Sequence, residues 1–228
     1  VYGLSMWDLG SGEEALVVST DRAMNVLQGH YFEALALPFA EQRGGMAVGP
    51  RHSFSDSRGV VVLSDEGVYT RLGEGAQQLQ QAPVYDLLVS QTLNSLYVAM
   101  GDHILLLGND QPLESAQYFS SANARVLAED QHGNLLTHDG YTVLRFPAGS
   151  DQPQELFSAR PAVEEKGWQG GVVDMLVDRE GTLWVVSGSS LFRYRQETLT
   201  EFNYLLDSER FPSRSPMLAG VHETLAGE

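Results

Sequence analysis

The side chains best suited to acid–base or metal chemistry are the histidines, and they are scattered along the chain. Six occur, and no two stand at the spacing that would make them metal ligands on one helix. Cysteine is absent, which excludes thiolate chemistry, cysteine metal sites and disulfides. No serine stands in a Gly-x-Ser-x-Gly turn, and no Gly-x-x-x-x-Gly-Lys phosphate loop occurs. The sequence therefore predicts no catalytic site, no metal site and no cofactor.

Charge and hydropathy restrict the partners. The 228-residue chain carries a formal net charge of −16. Phosphate binding requires basic clusters, so this balance argues against nucleic acid and against anionic lipid as partners. No apolar run approaches the roughly 18 residues that a membrane helix needs. The hydrophobic content of 43% is that of a globular domain with one sizeable core.

Short strands are the elements that must position any polar side chain. Between residues 172 and 203, four apolar runs are separated by polar turns rich in Gly, Asp and Ser. Runs of this length between such turns predict an antiparallel meander of four strands. A single small sheet is at best marginally stable in water, so the pattern also predicts neighbouring sheets of the same kind.

Those neighbours appear upstream as degenerate copies of the second and third strands, at residues 59–72, 95–107 and 133–146, with a fainter copy at 15–22. The turn before the second strand recurs at residues 56–59, 130–133 and 178–181, each time as Asp-x-x-Gly. With Asn94 at the glycine position of the copy at 95–107, the anchors Gly59, Asn94, Gly133, Gly181 and Gly227 are 35, 39, 48 and 46 residues apart. These spacings are near the roughly 40 to 50 of a propeller blade. We therefore predict an all-β fold, a β-propeller of four-stranded antiparallel blades with about five blades present.

The predicted blades cover residues 1–45, 46–83, 84–124, 125–171 and 172–216, and residues 217–228 read as the inner strand of a further blade. Both ends of the chain fall inside the repeat, so we expect a piece of a larger propeller. Helical signal is confined to residues 159–166 and 204–210, which fit connections between blades.

The fifth unit resembles a known repeat. Its first strand leads into Asp178-Arg179-Glu180-Gly181-Thr182-Leu183-Trp184, and Leu191-Phe192-Arg193-Tyr194 follows. This order is similar to the two-component regulator propeller repeat, whose pattern is Asp-x-x-Gly-x-Leu-Trp and then Gly-Leu-x-Arg-Tyr. The resemblance implies a periplasmic or otherwise extracytoplasmic sensor region of a bacterial receptor, upstream of a histidine kinase or diguanylate cyclase domain. Neighbouring domains of that receptor are then the expected partners, and a second copy of the chain stays open.

The motif itself has a structural explanation. Asp178 is expected to cap a tight turn with its side-chain oxygen, and Gly181 to adopt a positive φ. We expect Trp184 to fill the space between adjacent sheets, where an aromatic ring buries a large apolar area.

A ligand site is predicted from the geometry of the fold. In a propeller blade, the turn between the second and third strands and the link to the next blade emerge on the same face. That face would carry acidic, basic and aromatic side chains around a central opening, able to hydrogen-bond to and stack on a small molecule or glycan. The candidate ligand-binding residues are Asp21, Arg51, His52, Asp65, Tyr85, Asp102, His103, Arg125, His138, Asp139 and Trp168. His132 and His138 lie in or beside repeated turns, and we expect both side chains to be solvated.

Three functions remain open at this point. The first is a non-catalytic sensor domain that binds a ligand or relays a signal bound by a neighbouring domain. The second is a protein-interaction scaffold, because repeat architectures offer extended binding surfaces. The third is a propeller lyase or lactonase, since a fold alone does not decide function. The scatter of the histidines favours the first over the third.

Overall fold

The structure is a computed structural model that describes residues 3–8, 14–19, 24–28, 31–34, 42–47, 53–56, 59–63, 69–72, 85–90, 92–93, 95–108, 116–165, 171–187, 190–202 and 221. These residues form twenty β-strands and one short α-helix. The chain divides into two compact units, Val1–Ser120 and Ser121–Glu228.

The first unit contains two complete sheets and most of a third. Sheet 1 consists of β1 to β4, at Gly3–Asp8, Glu14–Ser19, Met24–Gln28 and Tyr31–Ala34. Sheet 2 consists of β5 to β8, at Gln42–Ala47, Ser53–Asp56, Gly59–Leu63 and Tyr69–Leu72. Sheet 3 consists of β9 to β12, at Asp86–Val89, Ser95–Ala99, Gly101–Gly108 and Gln117–Ala124. The boundary between the units falls within β12.

The second unit contains two further sheets. Sheet 4 consists of β13 to β16, at Ala128–Glu129, Leu135–His138, Thr142–Phe146 and Gln154–Ser158. Sheet 5 consists of β17 to β20, at Val172–Val177, Leu183–Ser187, Ser190–Arg195 and Thr198–Phe202. In every sheet the strands lie in chain order, which confirms the predicted four-stranded antiparallel meanders. The short helix α1 (Arg160–Glu165) lies within residues 159–166, where helical signal was predicted.

One predicted boundary differs from the strands. β5 begins at Gln42, before the predicted start of the second blade at residue 46. The first four residues of β5 are Gln-Arg-Gly-Gly, which have no apolar alternation and therefore give no strand signal in the sequence. Of the predicted inner strand at residues 217–228, only Val221 is described. The predicted helical turn at 204–210 lies outside the described residues.

The repeated Asp-x-x-Gly turn has the same construction in sheets 4 and 5. In sheet 5, the Asp178 Oδ1 atom accepts hydrogen bonds from the backbone N–H groups of Glu180 (3.0 Å) and Thr182 (2.8 Å). In sheet 4, Asp130 Oδ1 accepts the equivalent two bonds, both at 2.9 Å. Gly181 has a φ of 77°, a conformation that costs an L-residue roughly 1–2 kcal/mol. The expected roles of Asp178 and Gly181 are therefore confirmed.

The core of the second unit lies between sheets 4 and 5. Alternate residues of β18, Leu183 and Val185, share a buried apolar cluster with Leu136 and Val143 of sheet 4. The Phe157 ring of β16 lies 6.2 Å from the ring of Phe192 in β19, measured between centroids. Because side chains alternate along a strand, this cluster defines which face of each sheet meets the other.

Trp184 does not belong to that contact. It lies between Leu183 and Val185 in β18, so its side chain projects from the opposite face of sheet 5. Its ring is half-buried, 5.9 Å from the Phe202 ring, and its Nε1–H donates to Asp178 Oδ2 at 2.8 Å. The packing of sheet 5 on sheet 4 is made by the aliphatic residues on either side of it. That Trp184 fills a space between sheets stays a prediction, because the chain after Phe202 lies outside the described residues apart from Val221.

Candidate functional site

The structure describes six of the eleven candidate ligand-binding residues. Asp21, Arg51, His52, Asp65 and Trp168 lie outside the described residues. The other six form two groups, one in each unit. Tyr85, Asp102 and His103 belong to sheet 3 and its entry, and Arg125, His138 and Asp139 belong to sheet 4 and its entry.

The first group surrounds the turn between β10 and β11. The His103 carbonyl oxygen accepts a hydrogen bond from the Met100 N–H group at 2.9 Å, and Gly101 in between has a φ of 87°. The backbone N–H of Tyr85 donates to the carbonyl of Ala99 at 2.9 Å, which brings the residue entering the sheet to this turn. A Cβ atom at Gly101 would lie 3.0 Å from the Tyr85 ring, so glycine lets the ring pack on the turn.

The polar side chains of this turn are paired. His103 Nδ1 lies 2.6 Å from Asp102 Oδ1, and the side chain of Asp102 is 83% exposed. The Tyr118 ring of β12 lies 5.9 Å from the imidazole ring of His103. Tyr85 and Tyr118 both expose their rings to solvent. Aromatic faces beside a carboxylate–imidazole pair offer a stacking surface together with hydrogen-bond donors and acceptors, the combination that polar ligands require.

The second group surrounds the turn between β14 and β15. Asp139 Oδ1 accepts a hydrogen bond from the Thr142 N–H at 3.0 Å, and His138 Nδ1 accepts one from the Gly140 N–H, also at 3.0 Å. Asp139 and Arg125 are exposed. Both act electrostatically on the His138 imidazole, so the structure brings these three predicted residues close together.

His138 itself is buried, with only 1% of its surface exposed, so the expectation of a solvated side chain is wrong. It ends β14 directly opposite Val143, and that pairing puts it on the face that packs against sheet 5. Burial lowers the pKa of His138 from 6.5 to about 4; Asp139 raises it and Arg125 lowers it further. The imidazole is therefore uncharged at neutral pH. His132, by contrast, is exposed as expected.

Three further residues near these turns were not predicted from the sequence. Tyr118 lies in β12, a strand whose sequence does not match the repeat. Ser187 ends β18 as a buried hydroxyl in a serine-rich turn. Gly171 lies so close to the turn between β14 and β15 that a Cβ atom on it would collide with the Gly140 carbonyl oxygen. The next residue, Val172, donates its N–H to the same oxygen at 2.6 Å. The Gly170-Gly171 pair was the one sequence signal for this close approach.

Within the described part of the chain, no group of three or more His, Cys, Asp or Glu residues could hold a metal ion. The described helical residues also form no segment long and apolar enough to cross a membrane.

No family model matches the chain, and no curated protein matches it. Solved structures do. The extracellular domain of the putative hybrid two-component system BT4673 from B. thetaiotaomicron is 15% identical, with a TM-score of 0.68 over 97% of this chain and 30% of that one. Virginiamycin B lyase from Staphylococcus aureus is 12% identical, with a TM-score of 0.67 over 89% of this chain and 69% of that one. The gluconolactonase XC5397 from Xanthomonas campestris is 16% identical, with a TM-score of 0.62 over 93% of this chain and 76% of that one.

At these identities the likeness shows the fold and not the function. Together with the four-stranded meanders, it confirms a β-propeller of four-stranded antiparallel blades. The similar structures include extracellular domains of two-component systems and enzymes alike.

Proposed function

We propose that this propeller is the extracytoplasmic sensor domain of a bacterial signal-transduction receptor and that it binds a small polar molecule or glycan without converting it. The proposal is carried by the Asp178 turn. Its carboxylate accepts two backbone N–H groups and the Trp184 indole N–H, which explains physically why Asp, Gly and Trp recur in the sensor repeat that the fifth sheet resembles. The likeness to the extracellular domain of a putative hybrid two-component system supports the same conclusion.

The proposed ligand surface is the turn end of sheet 3, formed by Tyr85, Asp102, His103 and Tyr118. Two exposed rings there would stack on an apolar ring face of a sugar, and the exposed Asp102 carboxylate, held by His103 Nδ1, would accept hydrogen bonds from its hydroxyl groups. Neighbouring domains of the same receptor would then carry the signal onward.

A ligand screen by thermal shift tests this proposal. A glycan or metabolite present at about 100 times its Kd stabilises the folded state by about 2.7 kcal/mol, which raises the Tm of a domain this size by about 5–10 °C. Tyr85→Ala should reduce the affinity about two- to tenfold, because it removes a stacking ring. Tyr31→Ala is the matched control, since Tyr31 is an exposed tyrosine of β4. If no glycan or small metabolite raised the Tm, the proposal that this domain binds the ligand directly would be contradicted.

A lyase or lactonase activity is the second candidate, and one observation favours it. An aspartate that holds the Nδ1 atom of a histidine is how many enzymes orient a general base, and Asp102 stands in that relation to His103. The Nε2 atom of His103 is buried and has no hydrogen-bond partner among the described residues. Turnover of a lactone or of a cyclic streptogramin by the wild type, lost in Asp102→Asn, would establish catalysis and overturn the sensor proposal.

A protein-interaction scaffold is the third candidate. It predicts a protein partner whose binding weakens as salt concentration rises, because the chain is strongly acidic.

A further inference from the structure

Four buried side-chain atoms of the second unit have no hydrogen-bond partner among the described residues: Ser121 Oγ, Arg145 Nε, His138 Nε2 and Ser187 Oγ. Of these four, His138 and Ser187 end strands whose faces meet between sheets 4 and 5. The two residues are 1% and 0% exposed. A buried donor without a partner costs about 1–3 kcal/mol, so two such atoms in one place call for a binding partner.

The strand registers bring these two residues to the same place. His138 ends β14 and is paired with Val143, while Ser187 ends β18 and is paired with Val172. Both valines belong to the apolar cluster between sheets 4 and 5. Directly paired residues of antiparallel strands project from the same face, so His138 and Ser187 lie on the two faces that meet.

Backbone contacts connect the same two positions. The Val172 N–H donates to the Gly140 carbonyl oxygen, and the Gly140 N–H donates to His138 Nδ1. Val172 in turn is the strand partner of Ser187. The two residues therefore lie at the same end of the interface between sheets 4 and 5, the region we call the gap.

The chemistry of the gap is that of a hydrogen-bond donor. Because Nδ1 of the uncharged His138 ring accepts a bond from Gly140, its hydrogen lies on Nε2, which can only donate. The Ser187 hydroxyl can donate as well. An oxygen atom with free lone pairs satisfies both groups.

The described charges around the gap offer no net positive charge to an anion. Arg125 and Asp139 carry opposite charges near His138, and both are exposed. Glu201 lies on the same face of sheet 5, where it accepts the hydroxyl hydrogen of Ser190 at 2.7 Å. Arg145 lies on the same face of sheet 4 through its pairing with Leu136, so the two carboxylates are balanced by two guanidinium groups. Burying a charged ligand without a further counter-charge is costly.

We propose that the gap between sheets 4 and 5 is a subsite for the oxygen of an uncharged ligand, a hydroxyl or a carbonyl, held by His138 Nε2–H and Ser187 Oγ–H. This subsite deepens the proposed sensor function and rests on it for the class of ligand, a sugar or polyol hydroxyl group. Arg125 and Asp139 flank its entrance.

Histidine nitrogen shifts test the proposal directly. Protein labelled with ¹⁵N-histidine is titrated separately with ethylene glycol, acetamide and acetate at pH 7.5, and the His138 Nε2 resonance is followed. The expected result is a saturable shift with ethylene glycol and with acetamide, and none with acetate. In Ser187→Ala the apparent Kd should rise about five- to tenfold, because one neutral hydrogen bond is lost. Ser150→Ala, in the turn at the opposite end of sheet 4, is the control.

The wild-type titrations alone test the subsite, so the result does not depend on whether a variant folds. No shift with either neutral probe in the wild type means that the two atoms hold no exchangeable ligand, as with a permanent internal water, and the subsite is overturned. An equal response to acetate overturns its preference for uncharged ligands. A glycan that raises the Tm while leaving His138 Nε2 unmoved overturns the subsite and leaves the sensor proposal standing.

Discussion

The burial of His138 makes a quantitative prediction about acid stability. The pKa of this side chain is lowered from 6.5 to about 4, first because burial disfavours the charged ring. An unfolded chain restores the higher value, so between these two pH values the unfolded state binds more protons than the folded state. The stability that His138 contributes is therefore fully present above pH 6.5 and is lost as the pH falls towards 4. At about 1.36 kcal/mol per pKa unit, the loss is about 3 kcal/mol.

Urea unfolding at pH 7.5 and pH 4.5 measures this loss. The informative variant is His138→Asn, because the amide oxygen can accept the Gly140 N–H in place of Nδ1 while the titrating group is removed. Carboxylates titrate in both proteins and cancel in the comparison. We expect the free energy of unfolding of the wild type to fall by about 2.5 kcal/mol more than that of the variant.

The same substitution at an exposed histidine supplies the control. His132→Asn should follow the wild type, since its side chain lies at the surface. Equal losses in the wild type and His138→Asn, within about 0.5 kcal/mol, would refute the buried, uncharged imidazole on which the proposed subsite depends.

Three further substitutions test the packing. Phe192→Ala should cost about 3–5 kcal/mol in urea unfolding, because it empties the centre of the cluster between sheets 4 and 5; a cost below about 1 kcal/mol would contradict that packing. Gly181→Ala should lower the Tm more than Gly149→Ala does, since both have positive φ but only the Cβ at Gly181 would meet a side chain; equal shifts would exclude the close approach. Trp184→Phe should lower the free energy of unfolding by about 1–2 kcal/mol, because the indole hydrogen bond to Asp178 is lost. Urea unfolding at pH 7 measures this loss, and Asp178→Asn should show most of the same loss.

The pKa of Asp178 has its own explanation. Burial acts to raise it, but hydrogen bonds from the Trp184 indole and from the backbone N–H groups of Thr182 and Glu180 outweigh burial and hold the pKa below its usual value. The carboxylate form is thus the one that closes the turn, and protonation in acid weakens it.

The sheets could be predicted because their signals are local. Apolar runs of four to six residues, separated by turns in which Asp caps and Gly takes a positive φ, indicate a meander without knowledge of its neighbours. The second blade was predicted to begin at residue 46 and not at the start of β5, because Gln42 to Gly45 carry no such alternation.

The side-chain environments were harder to predict, because they depend on which face of a sheet meets its neighbour. Leu183 and Val185 make the contact with sheet 4, while Trp184 lies on the opposite face of β18, where its packing between sheets stays a prediction. His138 was expected in solvent because it lies beside a turn, yet its pairing with Val143 buries it. The phase of a strand, which a turn motif does not show, decides the face on which a side chain lies.

The most direct measurement of the central claim is a proton NMR spectrum of a ligand from the thermal-shift screen, recorded with the protein and again after overnight incubation. We predict that the ligand signals broaden on binding, that they broaden less with Tyr85→Ala at the same concentrations, and that the ligand is chemically unchanged at the end. New product signals that grow with time in the presence of the wild type would contradict a sensor that binds without conversion.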